Sequence, residues 1–101
     1  MPRVIFSISY PIKRETRAEY LETIETLKNY LTLERGKDYS VFEMKGKPNH
    51  FSEVYICKSV EEYDQLEEEA DDVTDQLINR IVSDFIGDGK VEYKTLIETF
   101  S

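Results

Sequence analysis

One segment constrains the fold of this chain more than any other: residues 38–59 form two extended runs joined by a turn. The turn lies at residues 45–50, where Gly46 accepts a positive φ, Pro48 lacks a ladder donor and Asn49 tolerates left-handed geometry. This pattern predicts a β-hairpin. One helical pattern and one further strand flank the hairpin on each side. The predicted order of elements is therefore strand, helix, hairpin, helix, strand.

Length and composition limit the classes of protein to which the chain can belong. Its 101 residues predict one domain that buries a single core. Its net charge of -8 argues against non-specific binding to nucleic acid, which needs Lys and Arg to neutralise phosphates. No apolar run approaches the ~18 residues that cross a bilayer, and the first residues do not resemble a secretory signal. We therefore expect a cytoplasmic protein that does not bind membranes.

The first strand and the first helix follow from two different periodicities. Residues 4–12 alternate, which places five side chains on one face of a strand: Val4, Phe6, Ile8, Tyr10 and Ile12. Thr16 and Glu19 have the spacing of a capping box that opens a helix. An apolar stripe at helical spacing follows, and Gly36 predicts the end of this segment; the stripe comprises Tyr20, Leu21, Ile24, Leu27 and Leu31.

The second helical pattern is too long for the sheet on which it packs. Ser59 and Glu62 form a second capping box, and an apolar stripe continues to Gly87 through Tyr63, Leu66, Ala70, Val73, Leu77, Ile81 and Phe85. A straight helix of this length would run about 40 Å, whereas an eight-residue strand spans about 26 Å. We expect a break at residues 69–72, where successive carboxylates repel one another. Residues 91–100 alternate as a final strand.

Alternation along the strands predicts which side chains share a face. We place Phe42, Met44, Val54 and Ile56 on the face that the helices cover. The opposite face then collects Ile5, Ser7, Ser9, Tyr39, Val41, Glu43, Glu53, Tyr55 and Tyr93. This set is too apolar for open water and too polar for a dry core, so it predicts a self-association surface or the lining of a partly wet cavity. The ligand-cavity candidates are Ser7, Ser9, Tyr39, Glu43, Glu53 and Tyr55.

The order of elements, the length and the amphiphilic sheet face resemble the dimeric α+β barrel superfamily. The resemblance implies a ferredoxin-like α+β protomer with an antiparallel four-stranded sheet, two helices on one face, and a homodimer that closes two sheets into one barrel. Members of that superfamily include cofactor-independent monooxygenases of the antibiotic-biosynthesis type, haem-degrading enzymes and small isomerases. The resemblance rests on pattern and covers the whole chain, and it transfers no catalytic residue to this sequence.

Several further residues are candidates for chemistry. His50 has an unperturbed pKa near neutrality and is a candidate general base, although a lone turn histidine is more often solvated. Lys13, Arg14 and Arg17 lie at a helix start and are candidates for binding an anion. The acidic run that includes Glu68, Asp72 and Asp75 predicts a solvated face. The single cysteine, Cys57, predicts a small core residue without a disulfide. We expect no cofactor and no metal.

Three functions fit these observations, and the sequence does not decide whether the chain is an enzyme. The first is a homodimer that binds a small aromatic or apolar ligand in a sheet-lined cavity, or that has a structural or regulatory role. The second is a cofactor-independent monooxygenase or isomerase that uses His50 or a carboxylate such as Glu53. The third is a monomeric interaction module whose acidic helix docks another protein.

Overall fold

The computed structural model describes residues 1–69, 71–87 and 89–100, apart from the side chain of Glu67. Its strands are β1 (Val4–Pro11), β2 (Tyr39–Glu43), β3 (His50–Cys57) and β4 (Glu92–Ile97). All neighbouring strands pair antiparallel, in the order β2-β3-β1-β4. The helices are α1 (Arg17–Asn29), α2 (Val60–Glu68) and α3 (Asp72–Arg80). The predicted ferredoxin-like α+β architecture is confirmed.

Short 3-10 and π-helical segments adjoin the α-helices. A 3-10 turn, Arg14–Thr16, precedes α1, and a π-helical turn, Tyr30–Glu34, follows it. Another π-helical turn, Ile81–Ile86, continues α3 and places Ile81 and Phe85 in the core. In the described part of the chain, no helix combines the length and the apolar character needed to cross a membrane.

The hairpin turn uses the residues that the sequence singled out. Asn49 adopts a φ of 63° and Gly46 a φ of 85°, so both take the left-handed conformation that closes the turn. The Met44 amide donates to the His50 carbonyl at 2.8 Å, which ties the two ends of the turn together. The predicted β-hairpin is confirmed.

The two predicted capping boxes have different outcomes. Ser59 caps α2 as expected, because its hydroxyl accepts the Glu62 amide at 3.2 Å, while the Glu62 carboxylate accepts from the Lys58 amide. The box at Thr16 is wrong: Thr16 makes no side-chain cap and instead donates its hydroxyl to the Lys13 carbonyl at 2.7 Å. The 3-10 turn before α1 brings that carbonyl within reach, and it competes with the helix cap for the hydroxyl.

The long second helical pattern breaks where the sequence predicted. The first part, α2, ends at Glu68, and α3 begins at Asp72; Ala70, at the centre of the predicted break, lies outside the described residues. The carboxylates at the break have structural partners. Asp71 caps α3 by accepting the Thr74 amide at 2.8 Å and the Thr74 hydroxyl at 2.9 Å. A helix start favours such an acceptor, so the acidic run ends one helix and starts the next.

The register of the strands corrects the predicted faces of β2 and β3. Val4 lies opposite Cys57 and Tyr10 lies opposite Phe51, and all four side chains are buried beneath the helices. Alternation from these anchors puts the following residues on the helix-covered face as well: Tyr39, Val41, Glu43, Glu53 and Tyr55. The predicted arrangement is therefore wrong for the hairpin. The buried residues at the two ends of β3, Phe51 and Cys57, fix the face and place the central carboxylate on the inward side.

The uncovered side of the sheet, here called the open face, carries small polar and larger apolar side chains. Its residues include Ile5, Ser7, Ser9, Ser40, Phe42, His50, Ser52, Val54, Ile56, Glu92, Lys94 and Leu96. Phe42 is 57% exposed and Leu96 is 58% exposed. The open face is thus apolar enough to favour contact with another surface.

Candidate functional site: a cleft between the sheet and the third helix

The helix-covered face of the sheet and α3 enclose two cavities, which together we call the cleft. The outer cavity has a volume of about 320 Å³. Its walls are mostly apolar, with charged residues at the end near the break between α2 and α3. Its lining includes Phe6, Ile8, Tyr55, Leu66 and Ile78, with the charged residues Arg35, Lys37, Glu69, Asp71 and Asp75.

The inner cavity is smaller, about 70 Å³, and lies next to the outer one. Ile8 from β1 and Ile78 from α3 line both cavities. The other walls of the inner cavity are Tyr10, Glu53, Ile81, Val82, Ile86, Val91 and Tyr93. Among the described lining residues Glu53 is thus the one carboxyl group in a mainly aliphatic pocket, which is not sealed from solvent, because Val82 and Tyr93 are 47% and 66% exposed.

Glu53 belongs to a hydrogen-bonded network of tyrosines. The Tyr39 hydroxyl donates to Oε1 of Glu53 at 2.7 Å, and both residues are buried, with exposed fractions of 1% and 5%. The Tyr10 and Tyr20 hydroxyls lie 2.8 Å apart and share a hydrogen bond. Burial raises the pKa of Glu53, and the hydroxyls of Tyr10 and Tyr39 partly oppose that rise. Burial therefore favours the protonated carboxyl group, and the hydrogen bonds of the network reduce that preference.

Ion pairs close the outer cavity where the loop after α1 meets the break between α2 and α3. Lys37 pairs with Glu69, and Arg35 lies 3.7 Å from the Glu69 carboxylate and 4.0 Å from that of Asp71. The Tyr30 hydroxyl donates to Oδ1 of Asp71 at 3.0 Å. Lys37 lowers the pKa of Glu69. The two cations are therefore already matched by carboxylates of the protein.

The structure divides the predicted ligand-cavity residues between the two faces of the sheet. Tyr39, Glu53 and Tyr55 lie together on the helix-covered face, where the rings of Tyr39 and Tyr55 are 4.8 Å apart. Ser7 and Ser9 lie on the open face, where the Ser9 hydroxyl is 2.7 Å from that of Ser52. The six residues therefore do not share one cavity, because the true register of the hairpin turns the two serines away from the carboxylate.

Glu43 lies in a different environment from Glu53. The Arg17 guanidinium donates to both carboxylate oxygens of Glu43, at 2.6 and 2.8 Å, and to Oδ1 of Asn49 at 2.9 Å. The hydrogen bonds from Arg17 to Glu43, together with one from the Asn49 amide, lower the pKa of Glu43 to about 2. Glu43 and Glu53 do not face each other across the hairpin, because Glu53 is paired with Val41.

The remaining candidates lie outside the cleft. Arg17 is occupied by Glu43 and Asn49, and Lys13 and Arg14 are exposed. His50 begins β3, faces the open side of the sheet beside Pro11, and lines neither cavity. Cys57 is buried, as predicted, and burial raises the pKa of its thiol.

Sequence reasoning missed the residues that α3 and the first loop contribute to the cleft. Ile78 lies beside the predicted apolar stripe of α3, and a one-residue rotation of the stripe would have included it. Arg35 and Lys37 flank Gly36, a pattern that indicated only a helix end. Tyr10 was assigned to the correct face of β1, but no local pattern indicated that a carboxylate would lie nearby.

Comparison with solved structures identifies the fold. A conserved protein from Methanosarcina mazei Go1 superposes with a TM-score of 0.77 at 18% identity, covering 95% of this chain and 92% of that one. A mutant of SnoaB, a cofactor-independent oxygenase from Streptomyces nogalater, gives a TM-score of 0.73 at 8% identity, with coverages of 98% and 95%. An antibiotic biosynthesis monooxygenase gives 0.67 at 22% identity, with coverages of 93% and 96%.

These comparisons show that the chain shares the ferredoxin-like α+β fold of these proteins, the fold that the sequence pattern predicted. No protein-family model matches the sequence, and no curated protein sequence matches it. Identities below a quarter show a shared fold and leave the activity open. The cleft itself must therefore supply the argument for function.

Proposed function

We propose that the chain is a homodimeric protein that binds a small, largely apolar or aromatic molecule in the cleft. The observation that carries this proposal is the outer cavity of about 320 Å³ between the sheet and α3. Its size lies at the lower end of the range of small-molecule sites, and apolar walls with few polar groups are typical of them. The rings of Phe6 and Tyr55 offer flat surfaces to an aromatic ligand.

The test is a ligand titration in which one variant fills the cleft. Ile78 lines both cavities and is 37% exposed, so Ile78→Trp should occupy the space and weaken the binding of small aromatic probes at least about tenfold. Val73, 46% exposed on the same helix, lines neither cavity, and Val73→Trp is the matched control. Amide NMR shifts would report binding. Equal affinities in both variants would contradict a site in the cleft.

The dimer in this proposal is formed by the open face. Ile5 and Leu96 are cross-strand neighbours and are 37% and 58% exposed, and Phe42, on the opposite edge strand, is 57% exposed. Exposed apolar side chains of this kind favour contact with another surface. Light scattering should give a concentration-independent mass of about twice 11.9 kDa. Leu96→Lys should reduce it to one chain, whereas Val73→Lys should leave it unchanged. If the wild-type protein is a monomer, the proposed dimer is wrong, and the open face is instead a docking surface for another protein.

A second candidate function, a cofactor-independent monooxygenase or isomerase, is favoured by the buried carboxyl group of Glu53 at the inner end of the cleft. Burial raises the pKa of Glu53, which suits a residue that must hold and release a proton. SnoaB, a cofactor-independent oxygenase, has a similar fold.

The assay for this second function is product formation from a panel of phenols and quinones, with O₂ supplied for the oxygenase. Glu53→Gln should abolish turnover while the circular dichroism spectrum is unchanged. His50→Ala, on the open face, is the control that should retain turnover. A panel left unchanged by the wild-type protein would count against an enzyme.

A further inference from the structure

The inner cavity is suited to one end of a ligand and not to its whole body. Its volume is about 70 Å³, little more than two water molecules occupy in the liquid. Aliphatic side chains from α3 and the turn after it, Ile78, Ile81, Val82 and Ile86, form one wall. Among the described residues that line the inner cavity, the polar side-chain groups are the carboxyl group of Glu53 and the hydroxyl groups of Tyr10 and Tyr93.

The hydrogen bonds of Glu53 leave this carboxyl group without a positive partner. Tyr39 donates to Oε1, and no Lys or Arg of the described residues forms an ion pair with Glu53. A carboxylate buried without a counter-charge is costly, so the group takes up a proton instead. A protonated carboxyl group is a hydrogen-bond donor. The chemistry of the inner cavity is thus that of a neutral acid in an apolar enclosure.

The ionisable groups that face Glu53 are weak acids. They are tyrosines from each of the surrounding elements: Tyr10 from β1, Tyr20 from α1, Tyr39 from β2, Tyr55 from β3 and Tyr93 from β4. The residues that α3 contributes are aliphatic. An unperturbed tyrosine titrates near pH 10. Because burial raises the pKa of Glu53 and a carboxyl group is still a stronger acid than a tyrosine hydroxyl, the first proton that this group of residues loses as the pH rises is that of Glu53.

The outer cavity also disfavours an anionic ligand. Its two cations, Arg35 and Lys37, face the carboxylates of Glu69, Asp71 and Asp75. Lys37 pairs with Glu69, and Arg35 lies near both Glu69 and Asp71. A carboxylate or phosphate on the ligand would have to displace these partners. An uncharged ligand fits the cleft without any such exchange.

We propose that the cleft selects an uncharged molecule with a carbonyl-type acceptor oxygen, and that neutral Glu53 donates its proton in a hydrogen bond to that oxygen. The carbonyl end occupies the inner cavity, and the apolar body occupies the outer one. The inference rests on the ligand-binding function proposed above, and it names the ligand class and the residue that recognises it.

Three probes of similar size test this proposal: acetophenone carries the acceptor oxygen, ethylbenzene lacks it, and benzoate is anionic. At low pH, acetophenone should bind about three- to tenfold more tightly than ethylbenzene, as expected for one buried hydrogen bond. At neutral pH, where benzoate is ionised, it should bind most weakly of the three probes. As the pH rises, the preference for acetophenone should disappear as Glu53 loses its proton, while the affinity for ethylbenzene changes little.

Two variants assign the effect to Glu53. Glu53→Gln keeps an N–H donor but cannot titrate, so the preference for acetophenone should persist at every pH. Glu53→Leu removes the donor, so acetophenone and ethylbenzene should bind equally. His50→Ala, a substitution on the open face and outside both cavities, should leave the wild-type pH profile unchanged. The wild-type profile with matched probes decides the matter even if a variant at position 53 does not fold.

The possible failures are distinguishable. If none of the probes binds at millimolar concentration, the proposed ligand-binding function fails and this inference with it. If acetophenone and ethylbenzene bind with equal affinity at every pH, the cleft is a ligand site but Glu53 does not recognise an oxygen. If benzoate binds most tightly, the cleft selects anions and the charge argument is overturned.

Discussion

Removing the Tyr39 hydroxyl tests the physical basis of the site. Tyr39→Phe deletes one oxygen atom whose proton is bonded to Oε1 of Glu53 at 2.7 Å. The exposed fractions are 1% for Tyr39 and 5% for Glu53, so water cannot replace the lost bond. An acceptor left unsatisfied in the interior costs about 1 kcal/mol when neutral and up to about 3 kcal/mol when charged. For a domain of this size, 1 kcal/mol corresponds to a fall in Tm of roughly 4 to 8 °C.

The sign of the pH dependence follows from linkage. The Tyr39 hydroxyl lowers the pKa of Glu53, which burial raises, so its removal raises that pKa further. In the wild-type protein the folded state already holds the Glu53 proton more tightly than the unfolded state, and stability falls as the pH rises from the unfolded pKa through the folded pKa. The Tyr39→Phe variant therefore loses more stability than the wild-type protein as the pH rises. Its deficit should grow from about 1 kcal/mol at low pH toward about 3 kcal/mol once Glu53 is ionised.

Urea unfolding at a series of pH values measures this deficit. Tyr63→Phe is the matched control, because the Tyr63 hydroxyl makes an exposed hydrogen bond to Thr95 at 3.1 Å that water can replace. Tyr63→Phe should lower the free energy of unfolding by no more than about 0.5 kcal/mol. If Tyr39→Phe behaved like Tyr63→Phe at every pH, the hydroxyl would not be supporting a buried carboxyl group. The account of the network given above would then be refuted.

Two further predictions concern the rest of the fold. Leu27 is 0% exposed, so Leu27→Ala should lower the free energy of unfolding by about 2 to 5 kcal/mol, whereas Leu33→Ala, at a position 79% exposed, should change it by less than about 0.5 kcal/mol in the same urea assay. Because Arg17 lowers the pKa of Glu43 to about 2, ionised Glu43 stabilises the fold above its unfolded pKa, and this contribution is lost as the pH falls toward 2. Glu43→Gln should therefore be less stable than wild type near neutral pH, by an amount that shrinks with acidification and with added salt; a deficit unaffected by pH would exclude the ion pair as its cause.

The elements of this fold were predictable because their signals are local. Gly46 and Asn49 adopt the left-handed conformations that this turn requires, and Gly and Asn are the residue types that favour such conformations. The break between α2 and α3 followed from a comparison of helix length with strand length. The cap at Thr16 was not predictable, because the competing Lys13 carbonyl comes within reach only through a 3-10 turn.

The faces of the hairpin required information that alternation does not contain. In β2, Tyr39 and Val41 alternate with Ser40 and Phe42, so both faces offer an apolar set and either one can face inward. The register with β1 decides between them, and register depends on contacts between residues far apart in the chain. Glu53 biased the prediction toward the wrong face, because a carboxylate is seldom buried.

The burial of Glu53 gives a physical reason to locate function in the cleft. An aliphatic residue at this position would satisfy the alternation of β3 and would not need donors from Tyr39 and Tyr10. The observed residue instead carries a desolvation cost, and three tyrosines from different elements are arranged near it. Conflicts between a local choice and the surrounding fold tend to concentrate at functional sites. Here the conflict occurs in the inner cavity, where Glu53 is the one carboxyl group among the described lining residues, and this arrangement suits the proton-dependent binding proposed above.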